Sequence, residues 1–373
     1  MVNMTLKSEE KAVFALRDLY KSYGYAPYKM NKFEEYDLYV RNKEFLLSDH
    51  VITFTDTNGK LMALKPDVTL SIIKNSKDDP ESVSKVYYNE NVYRISKGTR
   101  SFKELMQVGL ECMGNVDTYC VCEVLELAAK SLKAISDDCV LDISQMDIVS
   151  YVIESFGVSE DVQSEIWRCI GEKNLHELSA ICRAAGVSEV KAGILSRLIS
   201  TYGTPAQVLP ALDGILGGLS NDAALRNLRA ICKALAESEA NDVLRLDFSV
   251  TNNANIYNGV VFKGFINGIP SAVLSGGEYD RLLSKMGRKS RAIGFAVYLD
   301  LLEMFYRNAS AFDVDAILLY DDTASAGDVR CAVQQLQSQG KSVSAQKKVP
   351  EKVKYASLLK LTESGVETIE EYA

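Results

Sequence analysis

At 373 residues with 47% hydrophobic content, the chain is too long for one compact core of usual size and should divide into two or three domains. A net charge of −8 excludes a protein whose main work is coating nucleic acid, which depends on clustered Lys and Arg, although a local basic patch stays compatible. The eight cysteines show no CxxC pair, only His50 and His176 are present to help bind a metal, and no apolar run approaches membrane-spanning length, so free thiols in a soluble, metal-free, cytoplasmic protein are expected.

The chain opens with KSEEKAVFALRDLYKSY (7–23), which sets Val13, Leu16, Leu19 and Tyr20 at helical spacing, and Gly24 stands where a helix stops. From Ala26 to Thr69 the pattern shifts to short alternating runs, with a hairpin signal at Asn58-Gly59 between ITFTDT and KLMALKP, and predicts antiparallel sheet. KVYYNENVYRI and KELMQVGLECMG add two strands to that sheet on either side of a polar loop (Ser96 to Ser101), and TYCVCEVLELAAKSLKAI predicts a long helix. Back-to-back helical patterns over about 159–240 predict an inserted helical subdomain. Strands resume in VLRLDFSV, GVVFKGFI and SAVLSGG, and RAIGFAVYLDLLEMFY passes from strand to helix. The expected core therefore spans 1–312. Residues 313–373 predict a separate short α/β segment: strand DAILLYDD, helix AGDVRCAVQQLQSQG, strand KSVSAQ and helix EKVKYASLLKLTESG.

Four segments carry candidate chemistry. In LKPDVT, Asp67 and Thr69 place a carboxylate and a hydroxyl past a proline, suited to an ammonium group or, equally simply, to a turn or helix cap. Arg94, Gln107 and Glu111 lie on the strands flanking the basic loop, and equal parity points Gln107, Gly109 and Glu111 to one face, with Gly109 leaving room above the sheet. A buried Glu111 among Val108, Leu110 and Met113 needs a cation or a hydrogen-bond donor; the plain alternative is a rim carboxylate. IYNGVVF and SGGEYD each set a tyrosine, Tyr257 and Tyr279, beside glycine, as a pocket wall or a hairpin would.

These four segments, followed by AIGFAVYLDLL, resemble in order and spacing the catalytic core of histidyl-tRNA synthetases, over essentially the whole chain. The resemblance implies an α+β class II synthetase fold: a mainly antiparallel sheet flanked by helices, a helical insertion and a C-terminal α/β domain. It implies that Asp67, Thr69 and Gln107 hold the amino group of histidine. Glu111, Tyr257 and Tyr279 would surround its imidazole, and Arg94 would be the motif 2 arginine of the α-phosphate. A homodimer through the N-terminal helix and the Leu16 to Asp37 region also follows from it.

Departures from the family pattern redirect the function. The signature RGLDYYTG is NNANIYNG here, so Asn252 replaces a catalytic arginine; in motif 3, Leu301 stands at the ATP-binding arginine and Tyr298 at a glycine; Leu105 replaces the adenine-stacking phenylalanine; and GGRYD becomes GGEYD with Glu278. Each lost cation costs a phosphoryl centre about 3 kcal/mol, so too little stabilisation is left for useful turnover. A synthetase-like core without synthetase chemistry is the pattern of the ATP phosphoribosyltransferase regulatory subunit family, which the chain resembles. That implies no catalytic residues and no cofactor. It implies a short-form catalytic subunit as partner, in a hetero-octamer built on the homodimer, and free histidine as feedback ligand, reaching either this pocket or a subunit interface. The C-terminal lysines (Lys341, Lys347, Lys348, Lys352, Lys354) fit a solvated face better than a tRNA contact. A divergent histidyl-tRNA synthetase is the alternative reading.

Overall fold

The computed structural model describes residues 8–42, 51–95, 101–219, 221–254, 256–306 and 312–372. Two compact units divide between Leu302 and Glu303. The first, Glu10–Leu302, opens within α1 (Ser8–Ser22), which buries Ala12, Val13, Leu16 and Tyr20 along one stripe. It ends where Gly24 adopts φ +81°, with the Gly24 and Tyr25 N–H groups donating to the Lys21 and Tyr20 carbonyls. Then come β1 (Ala26–Pro27), β2 (Phe33–Glu35), α2 (Tyr36–Arg41), β3 (Thr53–Thr55) and β4 (Leu61–Leu64).

The expected hairpin joins β3 to β4, and its turn is held by the Asp56 carboxylate accepting from the Asn58 and Lys60 N–H groups, with Gly59 at φ +80°. These strands do not extend the main sheet, as the sequence suggested; β2, β4 and β3 form a three-stranded antiparallel sheet of their own. The cause is local. Pro66 has no N–H to continue a ladder, and Asp67 accepts from the Leu70 N–H (3.0 Å) to hold the first turn of α3 (Thr69–Asn75), which ends the strand direction.

Two thirteen-residue strands, β5 (Val83–Ile95) and β6 (Phe102–Gly114), then form the long hairpin that organises the site. Residues 96–100 of its loop lie outside the described residues. After α4 (Thr118–Lys133) come β7 (Cys139–Gln145) and α5 (Met146–Glu154), neither of which the sequence reading resolved. The insertion comprises α6 (Glu160–Gly171), α7 (Leu175–Ala184), α8 (Glu189–Ser200), α9 (Pro205–Val208), α10 (Leu212–Leu216) and α11 (Asp222–Leu235). It also lends the two-residue β8 (Tyr202–Gly203) to the sheet edge beside β9 (Leu244–Asp247). The unit closes with β10 (Asn258–Ile266), β11 (Leu274–Glu278), α12 (Asp280–Lys285), β12 (Arg291–Tyr298) and the start of α13 (Leu299–Tyr306).

The central sheet has nine strands in the order β1-β5-β6-β12-β11-β10-β7-β9-β8. Only β1–β5 and β7–β9 pair in parallel; the rest is antiparallel, as expected. Among the described residues no helix is long and apolar enough to cross a membrane.

The second unit carries β13 (Val314–Leu319), α14 (Ala326–Ser338) and β14 (Val343–Gln346) where the sequence placed them. Its last element differs. EKVKYASLLKLTESG, expected as a helix, forms β15 (Tyr355–Thr362) and turns into β16 (Gly365–Glu371). Leu358 and Leu359, consecutive and so on opposite faces of β15, are both buried, and Leu359 packs with Ala332 and Leu336 of α14, so apolar residues follow one another and their spacing mimics a helix. Gly365 sits at φ +122° and pairs with Thr362 across a hairpin turn.

Candidate functional site

The site lies on the sheet face where β6 and β12 run side by side. Their register opposes Glu111 to Gly294, Gly109 to Ala296 and Gln107 to Tyr298. Alternate residues share a face, so Gln107, Glu111, Gly294, Ala296 and Tyr298 form the floor of a cavity of about 150 Å³, with Gly109 covered by Tyr88. Asp67 and Thr69 reach it from the start of α3, Arg94 from β5, Tyr257 from the segment before β10, and Tyr279 from the end of β11. All seven residues singled out from the sequence thus line one cavity, together with Tyr88, Asn252, Asn253 and Tyr298.

Glu111 is 2% exposed, and its partners are hydroxyls rather than a cation: Thr69 Oγ1 donates to Oε1 and the Tyr279 hydroxyl to Oε2, both at 2.7 Å. Burial raises its pKa to about 8, against the lowering effect of those two bonds and with a further upward push from nearby Asp67. Asp67 is also raised by burial, opposed by the Leu70 N–H and by Arg94. Asp67 therefore both braces the first turn of α3 and lines the cavity. Arg94 is fixed by Nε donating to the Pro66 carbonyl at 3.0 Å. The rings of Tyr257 and Tyr279 meet edge to face, with centroids 6.5 Å apart.

Each glycine here answers to a close approach. A Cβ on Gly294 would stand 1.7 Å from Glu111 Oε2, so only glycine lets the carboxylate lie flat on the sheet. The space expected above Gly109 is taken: the Tyr88 hydroxyl would be 2.5 Å from a Cβ there, and Tyr88 itself becomes part of the wall. Sequence reasoning missed Tyr88. Its signal was a tyrosine opposite a glycine across a strand pair, visible only once the β5–β6 register is known.

Cationic side chains are scarce around the cavity. Among the described residues Arg94 is the sole basic side chain lining the cavity. Asn252 spends its amide on the Gly276 carbonyl (3.2 Å), and neither Leu105 nor Leu301 reaches the cavity wall. A second cleft of about 440 Å³, bounded by Trp167, Glu154 and Arg281, shares Asn252 and Asn253 with the first.

Glu278, the departure in the GGEYD loop, has a structural task. It accepts from the Val260 N–H at 2.8 Å, at the bulge where Gly259 takes φ +55°, and pairs with Arg291 at 2.8 Å. Glu278→Ala should leave that buried N–H unpaired and lower unfolding free energy by about 1–3 kcal/mol in urea titrations. The half-exposed Arg291 contributes little of this loss.

A class II synthetase-like sheet with an amino-acid-sized cavity at this place agrees with the family comparison, in which the histidyl-tRNA synthetase model matches residues 1–302. The chain belongs to that family. Among its relatives is an ATP phosphoribosyltransferase regulatory subunit of Alkaliphilus metalliredigens, 27% identical over 282 residues, covering 74% of this chain and 71% of the relative. An ATP phosphoribosyltransferase regulatory subunit/histidyl-tRNA synthetase structure from Bacillus halodurans C superposes with TM-score 0.71 at 22% identity, covering 91% of this chain and 88% of that one. A chain of the ATP phosphoribosyl transferase (HisG:HisZ) complex from Thermotoga maritima superposes with TM-score 0.61 at 18% identity, covering 78% and 97%.

Proposed function

We propose that the protein is a non-catalytic regulatory subunit of ATP phosphoribosyltransferase, required for the activity and the histidine feedback of the first step of histidine biosynthesis. The observation that carries this is the asymmetry of the cavity. The six side chains that would hold an amino acid, Asp67, Thr69, Gln107, Glu111, Tyr257 and Tyr279, all line it, while Arg94 is the only basic side chain lining it among the described residues that could face a nucleotide. The names of its relatives favour the same reading. The partner is a short-form catalytic subunit, joined in a cytoplasmic hetero-octamer in which this chain forms homodimers.

Histidine fits the donors and acceptors in place. The Asp67 carboxylate and the Gln107 amide take its ammonium group, and Glu111 accepts an imidazole N–H that an apolar side chain would leave unpaired. Adenylate formation lacks the preorganised cations that stabilise charge at the α-phosphate. The purified protein should therefore bind histidine but show histidine-dependent pyrophosphate exchange only at background. Exchange clearly above background would replace this reading with that of a divergent histidyl-tRNA synthetase.

A further inference from the structure

We infer that Tyr298 is the specificity-determining residue of the cavity: its ring closes the end opposite Glu111 and restricts the ligand to an amino acid with a free carboxylate, excluding an esterified or adenylated one. The inference rests on the amino-acid reading of this cavity and adds which form of the amino acid it takes. Along the floor supplied by β12, residues sharing one face grow from Gly294, where Glu111 needs all the room, through the methyl of Ala296 to the phenol of Tyr298. Floor space therefore ends at the third row. Tyr298 stands there opposite Gln107 on β6, and Arg94, Asp67 and Asp300 act electrostatically on its hydroxyl, which also bonds to Ser275. Burial keeps that hydroxyl protonated, a neutral donor beside the only cation lining the cavity among the described residues.

An ammonium group at Asp67 and a carboxylate at Arg94 and Tyr298 would match a zwitterion. Any group attached to the carboxylate would have to pass through the tyrosine ring, a steric exclusion of the kind that sets specificity by penalising the wrong ligand. The small volume of the cavity, about 150 Å³, agrees with this boundary.

The test is calorimetric titration of the wild-type chain, Tyr298→Ala and Tyr298→Phe with L-histidine and L-histidine benzyl ester, with thermal melts to confirm that each variant is folded. Wild type should prefer histidine by at least about a hundredfold, Tyr298→Ala should narrow the preference to within about tenfold, and Tyr298→Phe should retain it because the ring remains. Esterification also removes the carboxylate charge, but that loss is common to all three proteins, and Tyr298→Phe loses the hydroxyl while keeping the ring, so a narrowing in Tyr298→Ala that is absent from Tyr298→Phe isolates the ring. Wild type binding both ligands within about tenfold, or a folded Tyr298→Ala still rejecting the ester, would overturn the inference alone. Failure of wild type to bind histidine at all would instead overturn the amino-acid reading, and this inference with it.

Discussion

Gly294→Ala should abolish measurable histidine binding, a loss of more than about a hundredfold, and lower unfolding free energy by about 3 kcal/mol. Backbone conformation is not the cause, since Gly294 lies in an ordinary strand paired with Glu111. The cause is space: the new methyl would stand 1.7 Å from Glu111 Oε2 and 2.5 Å from the Leu110 carbonyl oxygen. Main chain cannot yield cheaply, so the carboxylate must leave, giving up both the Thr69 and the Tyr279 hydroxyls. Calorimetry and urea denaturation of one preparation measure both effects. A stable variant with wild-type affinity would place Glu111 outside the ligand-binding surface.

Glu111→Ala should weaken histidine binding by about ten- to hundredfold, the cost of about 1–3 kcal/mol for a buried donor left unpaired on the ligand. Glu111→Gln separates charge from shape, because it keeps the size of the side chain and an acceptor for one of the two hydroxyls, turns its NH2 to the other, and cannot titrate. The folded-state pKa of Glu111, about 8, lies above its ordinary value of 4.5, so across that interval the folded chain holds more protons than the unfolded one. Its contribution to stability is full below about pH 4.5 and is lost as pH rises through about 8. Glu278, raised to about 7 by burial, and Asp142, raised to about 6 by the same cause, act with the same sign. Urea midpoints of wild type should fall between pH 5 and pH 8, and Glu111→Gln should show a shallower fall. Identical slopes would mean that Glu111 is ionised in the folded protein throughout that range.

Much of this site was legible because strands of period two put Gln107, Gly109 and Glu111 on one face whatever their neighbours do, and LKPDVT announces its turn through Pro66 and Asp67. What was not legible depended on pairing. Tyr88 belongs to the wall only because the register sets it opposite Gly109, and Glu278 finds Arg291 only because β11 and β12 lie side by side. Central strands were the other blind spot. Consecutive residues are buried along β7 and at the centre of β15, which removes the alternation that marks a strand, so the pattern shows no strand at β7 and predicts a helix at β15. The small sheet of β2, β3 and β4 escaped for a further reason: its pattern gives the strands but not the sheet they join.

The most direct measurement is the ATP phosphoribosyltransferase activity of a short-form catalytic subunit from the same genome, assayed alone and with an equimolar amount of this chain. A regulatory subunit should raise that activity by at least about tenfold and make it sensitive to histidine, within the usual range of coupling between sites. Equal activity with and without the chain, and no response to histidine in the mixture, would contradict the account.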